Sequence, residues 1–209
     1  MDAKNTFWLK SLGINLDLHP RIDMKYSEDF YITKPYLFSY AIHCHGHVGV
    51  TINEKKLVLE IKIHTPTKDF IKEHYEYYGR KVDIDLVYHF ICAHEETHAL
   101  QNSGNYKIIP QLLEGFLTQN ELERVKETAK ERDKATETAL SILDGIAKGE
   151  SMRDKIEDFH PEKVFKKELS ERDANLVGIV SLLQRGFEKE IIKRNLELYG
   201  VEEYFNLIL

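Results

Sequence analysis

Two histidines four residues apart with a glutamate between them, His94-Glu95-Glu96-Thr97-His98, constrain this chain more than anything else in it. The apolar residues Ile84, Val87, Ile91 and Ala99 recur around them at helical spacing, so the five residues are expected on a helix. Positions i and i+4 stand one above the other on a helix face, and His94 and His98 can therefore aim ring nitrogens at one point. Glu95 lies about 100° around the helix from His94, poorly placed as a third ligand and well placed to touch a water held there. A catalytic zinc takes three protein ligands and leaves a fourth position for water, whose pKa falls to about 7. A neighbouring carboxylate accepts the water's proton and can pass it to a leaving amine. The spacing predicts a metal helix with Glu95 as general base, and Glu96 is expected to face solvent.

The chain of 209 residues, 42% apolar and 11% aromatic, is long enough for one sizeable core. A net charge of −6 argues against nucleic acid or an anionic membrane as the main partner. Cys44 and Cys92 are the only cysteines, which gives no disulfide framework and suits a reducing compartment. No run of about twenty apolar residues occurs, so a soluble, cytoplasmic protein with no membrane partner is expected.

Residues 5–13 read as a short amphipathic helix closed by Gly13. From Tyr36 the texture turns to β, and Leu57, Leu59, Ile61 and Ile63 alternate with Glu60, Lys62 and His64 after the turn signal at residues 53–56, which predicts a hairpin with one buried face. A helix is expected from Pro66 to about Tyr78, then the metal helix, capped by Asp83 or Asp85 and running to about Gln101. A further helix begins at Pro110, turns charge-rich from Glu121 to Lys134 and ends near Gly145 or Gly149. Residues 150–170 read as a solvated connector, and apolar helices follow over 174–183 and 187–199. The expected fold class is α+β, one compact domain over 1–209, with a β-containing lobe over 1–101 that ends in the metal helix and a helical lobe over 102–209.

Two imidazoles alone hold zinc weakly, so a third ligand must come from elsewhere. Glu114, in Leu113-Glu114-Gly115-Phe116, is the first candidate: a short turn after the metal helix would send the next helix back beside it, with Glu114 opposite His98. Glu121, two turns on, would share that face and could accept a hydrogen bond from the far nitrogen of a ligand histidine. Glu171 is the second candidate, with Asn175 one turn on offering its amide to a histidine.

His94-Glu95-Glu96-Thr97-His98 followed by Leu113-Glu114-Gly115-Phe116 resembles the helix and downstream segment of the gluzincin metallopeptidases of the peptidase MA clan. That resemblance implies a zincin-like fold with a small antiparallel or mixed β-sheet in its N-terminal lobe. It implies one zinc ion per chain held by His94, His98 and Glu114, Glu95 as the catalytic residue, and Glu121 in the supporting role. The Glu171-x-x-Ala174-Asn175 pattern is instead similar to the third-ligand segment of membrane-protease and regulatory-peptidase families. The gap from His98 to Glu114 is shorter than in large aminopeptidases, and no motif for a substrate amino group is visible.

His43, His45 and His47 share one face of the expected strand, which could hold a second metal, edge the cleft or serve as an exposed polar face. Cys92 is expected as a small buried residue, and His89 as a core or surface histidine off the ligand face. The expected function is a zinc metallopeptidase acting on a peptide or protein substrate. A non-catalytic or regulatory metal-binding protein that kept the zincin fold, or a metal-dependent hydrolase of non-peptide amides, are the alternatives.

Overall fold

Leu86 to Gln101 carries apolar residues on several sides, and a helix of that kind sits inside a protein rather than on it. In the computed structural model, which describes residues 23–27, 46–53, 56–64, 67–102, 104–160 and 167–209, it does. Strands β1 (Asp23–Ser27), β2 (Gly46–Asn53) and β3 (Lys56–His64) come first. They pair in the order β1-β3-β2, with β1 parallel to β3 (Asp23 opposite Glu60) and β2 antiparallel to it (Asn53 opposite Lys56). Helices α1 (Lys68–Tyr77), α2 (Ile84–Asn102), α3 (Ile109–Leu113), α4 (Gln119–Lys148), α5 (Arg153–Glu157), α6 (Lys167–Gln184) and α7 (Lys189–Asn195) follow, with short 3₁₀ turns at Tyr106–Ile108, Glu197–Tyr199 and Glu202–Asn206.

From residue 67 onward the described residues are 77% helical and contain no strand. The expected α+β, zincin-like class with a β-sheet lobe supporting the metal helix is therefore corrected to a mainly helical architecture. The physical reason lies in α2. A helix laid on one sheet face needs one apolar stripe, whereas Leu86, Val87, Phe90, Ile91, Ala93 and Leu100 point several ways and all are at most 2% exposed. Helices cover them, chiefly α6, whose Leu176, Val177, Ile179, Val180 and Leu182 are as deeply buried. Each such side chain contributes about 1.5–3 kcal/mol relative to exposure.

Local chemistry sets the element ends. Thr67 caps α1 by accepting from the Phe70 amide at 3.1 Å, and Asp83 starts α2 by accepting from the Asp85 and Leu86 amides at 3.0 and 3.1 Å. Asn195 docks the end of α7 onto that start, its side-chain oxygen accepting from the Asp83 amide at 2.6 Å. The helix expected to run on from Pro110 is broken instead: α3 stops after Leu113, Gly115 turns the chain at φ 82°, and Thr118 caps a new helix. The expected helix at residues 5–13 lies outside the described residues, and among those described no helix is long and apolar enough to cross a membrane.

Contacts between α2 and α6 run in opposite order along the two helices, Gln101 against Ser170 and Phe90 against Gly178, so the helices are antiparallel. A Cβ on Gly178 would lie 2.6 Å from the Phe90 ring, and this glycine is what lets the two helices close. Gly178→Ala is expected to destabilise the protein by about 1–3 kcal/mol through overpacking. Chemical denaturation of the two proteins measures this, with an unchanged midpoint as the contrary result.

Candidate metal centre

Antiparallel α2 and α6 bring three ligand atoms from two helices to one place. His94 and His98, one turn apart on α2, hold their Nε2 atoms 3.0 Å from each other. Oε2 of Glu171, on the facing turn of α6, lies 3.5 Å from the first and 3.6 Å from the second. A tetrahedral ion with ligands about 2.0–2.1 Å away has ligand–ligand edges of about 3.3 Å, and the observed triangle brackets that value. His94, His98 and Glu171 thus form a group that could hold a metal ion. Glu95 stands beside it, with Oε1 4.0 Å from Nε2 of His94.

Electrostatics favour a cation at this point. Burial holds His94 below the usual imidazole range, although Glu171 and Asn175 beside it pull the other way. Burial also acts on His98, but hydrogen bonding to Glu171 and the charge of Glu95 outweigh it and raise its pKa. Hydrogen bonding to the two histidines holds the Glu171 carboxyl well below the carboxylate range. Glu95, only 5% exposed, is pushed up to about 8 by burial. A cation at the imidazoles would draw it back down and make it a charged base. Two imidazoles and two carboxyl groups share this volume, a set that could take up a cation in place of its protons.

Surrounding groups fix the ligand side chains. Nδ1 of His98 lies 2.8 Å from Oε1 of Gln101, whose Nε2 donates to the Ser170 carbonyl at 2.9 Å. On the far side of α6, Asp173 is wholly buried, accepts from the Tyr106 hydroxyl at 2.7 Å and ion-pairs with Arg172 at 2.7 Å. The Arg132 guanidinium lies over the Tyr106 ring at 5.8 Å, and Asp133 accepts from the Tyr106 and Lys107 amides at 2.8 Å each. A cavity of about 360 Å³ opens between the first turns of α6 and the C-terminal 3₁₀ turn, lined by Glu168, Leu169, Arg172, Glu203, Tyr204 and Leu207. Tyr204 reaches from it to Asn175.

Among the residues singled out from sequence, His94, His98 and Glu95 come together on α2. Glu114, expected as the third ligand, does not join them: it is exposed in the turn that ends α3, because the five-residue helix stops before it. Glu171 occupies that place instead. Glu121 pairs with Arg124 at 2.6 Å in the first turn of α4, so it supports that helix rather than a ligand histidine. Glu96 is wholly buried, not solvated. Cys92 is buried as expected. His43 and His45 lie outside the described residues, and His47 is described only as a β2 position opposite Lys62. Sequence reasoning passed over Gln101 and Asp173. Gln101 stands three residues after His98, within reach on a helix face, so a signal existed. For Asp173 none did.

No protein-family model matches the chain, and no curated protein or solved structure matches it either.

Two outcomes are expected. Elemental analysis and titration with zinc should give one bound ion in the wild type, sharply weakened binding in His94→Ala, His98→Ala and Glu171→Ala, and unchanged binding in Glu114→Gln. Equal loss in the last variant would refute the assignment of Glu171. The second outcome concerns stability in chelator. A carboxyl at about 8 in the folded chain against 4.5 unfolded keeps a proton that the unfolded chain releases, so its contribution is full below pH 4.5 and is lost as pH rises through 8. Urea midpoints at pH 5 and pH 8 should therefore differ more for wild type than for Glu95→Gln.

Proposed function

We propose that this chain is a zinc-dependent peptidase. The observation that carries the reading is the meeting of His94 Nε2, His98 Nε2 and Glu171 Oε2 within one tetrahedral face, with the buried Glu95 carboxyl at its edge. Three protein ligands favour a catalytic over a structural site, since structural zinc is ordinarily closed by four. Zinc bound there supplies Lewis acidity toward a water and toward a substrate carbonyl oxygen.

The chain's own residues do the rest. Glu171, anchored on a separate helix, sets the third corner and adds the negative charge that offsets the ion. Glu95 takes a proton from the attacking water and returns it to the departing amine, the two half-steps of general base and general acid catalysis. Burial raises its pKa and a bound cation would lower it again, which leaves the carboxyl a charged base shielded from solvent. The cavity along α6, with Leu169, Tyr204 and Leu207 beside the charged Glu168, Arg172 and Glu203, gives room for a substrate side chain.

Glu95→Gln keeps the shape and hydrogen-bonding reach of the side chain but cannot accept the proton. Hydrolysis of a quenched fluorescent peptide library by wild type and by this variant, both loaded with zinc, tests the reading. The expected result is turnover by the wild type, a loss of at least about 100-fold in the variant and equal zinc content in both. A zinc-loaded wild type that cleaves nothing in the library, or a variant that cleaves equally well, would overturn it.

A further inference from the structure

One side chain touches both ligand-bearing helices at the metal centre. Gln101 is wholly buried, and its two polar atoms make different bonds: the amide nitrogen donates to the Ser170 carbonyl at 2.9 Å, and the amide oxygen faces Nδ1 of His98 at 2.8 Å. A backbone carbonyl can only accept, so the amide nitrogen must be the group turned toward Ser170. The oxygen is then left for His98, and because a carbonyl oxygen can only accept, Nδ1 of His98 must carry the proton. In a neutral imidazole the lone pair is then on Nε2, the atom aimed at Nε2 of His94 and at Glu171.

We propose that Gln101 is the positioning residue of this centre, fixing the tautomer of His98 and the place of Glu171 with a single amide. The second half follows from chain position: Ser170 directly precedes Glu171, so tethering its carbonyl to α2 holds the turn of α6 that presents the carboxylate. The proposal rests on His94, His98 and Glu171 being metal ligands. It adds that their geometry is set before the ion arrives. An imidazole free to rotate or to carry its proton on Nε2 would have to reorganise first, and the tautomer-fixing partner of a ligand histidine is commonly worth about 10–100-fold in metal affinity. Nδ1 of His94, by contrast, is buried without a hydrogen-bond partner among the described residues.

The test has two arms. Long-range ¹H–¹⁵N correlation spectra of the chelated wild type, with histidine labelled, read the His98 tautomer directly; the expected pattern is a protonated Nδ1, and a protonated Nε2 in the neutral ring would overturn the proposal whatever the variants do. In the second arm Gln101→Met removes both bonds at similar volume, and Gln101→Glu keeps an acceptor for His98 but cannot donate to Ser170. Competition of each protein with a chromophoric chelator for zinc should rank affinity as wild type, then Gln101→Glu, then Gln101→Met, with the last weakened by about 10–100-fold. The cobalt-substituted proteins report coordination in their visible spectra, which a loss of stability alone would leave unchanged; Gln101→Met is expected to alter that spectrum. Wild-type affinity and spectrum in Gln101→Met would sink the proposal while leaving the metal site standing. A wild type that takes up no zinc would instead remove the metal reading, and the tautomer spectrum would still judge what Gln101 does.

Discussion

Glu171 meets the histidine pair across an interface between two helices, and the separation of those helices therefore decides whether there is a centre at all. Helix axes ordinarily pack 8–10 Å apart, with the side chains at the crossing setting the value. Here the crossing pairs Gly178 with Phe90, and no room exists for even one added methyl group between them. The distances of 3.5 and 3.6 Å from the carboxylate to the two imidazoles depend on that approach. They lie seven residues up α6 from the glycine, two turns along the same interface, so the packing seam and the ligand set are one feature read at two heights.

Helix α2 is unusual for a core element in the polar groups that it buries. Glu95, Glu96, Thr97 and Gln101 are all at most 5% exposed. Isolated polar groups in such a place cost about 1–3 kcal/mol each, and charges more, unless they are bonded. Thr97 meets the requirement within the helix, by donating to the Ala93 carbonyl at 2.7 Å, and Gln101 meets it by reaching across to α6. Glu95 is different. Its carboxyl is held up to about 8 because burial outweighs the opposing charge of His98, a state that stability alone would select against. Placing such a group 4.0 Å from Nε2 of a histidine makes physical sense where a cation is to be held at that atom.

How much of this was legible follows from which interactions are local. His94, Glu95 and His98 lie within one helical turn, so their common face could be read from spacing, and so could the Asp83 cap that begins the helix. Which carboxylate joins the two histidines could not be settled that way. Glu114 looked closer in sequence, but whether it returned to the histidines depended on a helix that Gly115 and Thr118 interrupt, and turn chemistry over five residues outweighed the apolar pattern on either side. Glu171 lies far away in the chain. Its role depends on α6 starting at Lys167, within a charged stretch that reads as a connector until its packing against α2 is seen. The fold class failed for a related reason: the alternating residues of β3 are a clear local signal, yet the descriptor of the whole was the apolar girth of α2, which called for helices around it.

A helix that carries a ligand must be fixed in rotation as well as in distance, and α6 is held on two sides. Glu171 faces α2, and Asp173, two residues on and so about 200° around the axis, faces the opposite way. There it accepts from Tyr106, whose own amide is held by Asp133 of α4. Rotating α6 to swing Glu171 toward solvent, where its side chain is already 38% exposed, would pull Asp173 off the Tyr106 hydroxyl and leave a wholly buried carboxylate short of a donor. Breaking a buried charged hydrogen bond is worth more than the solvation that a half-exposed carboxylate would gain. The buried Asp173 thus acts as a rotational stop, and it explains why a polar residue occupies a position on α6 that an apolar one could fill.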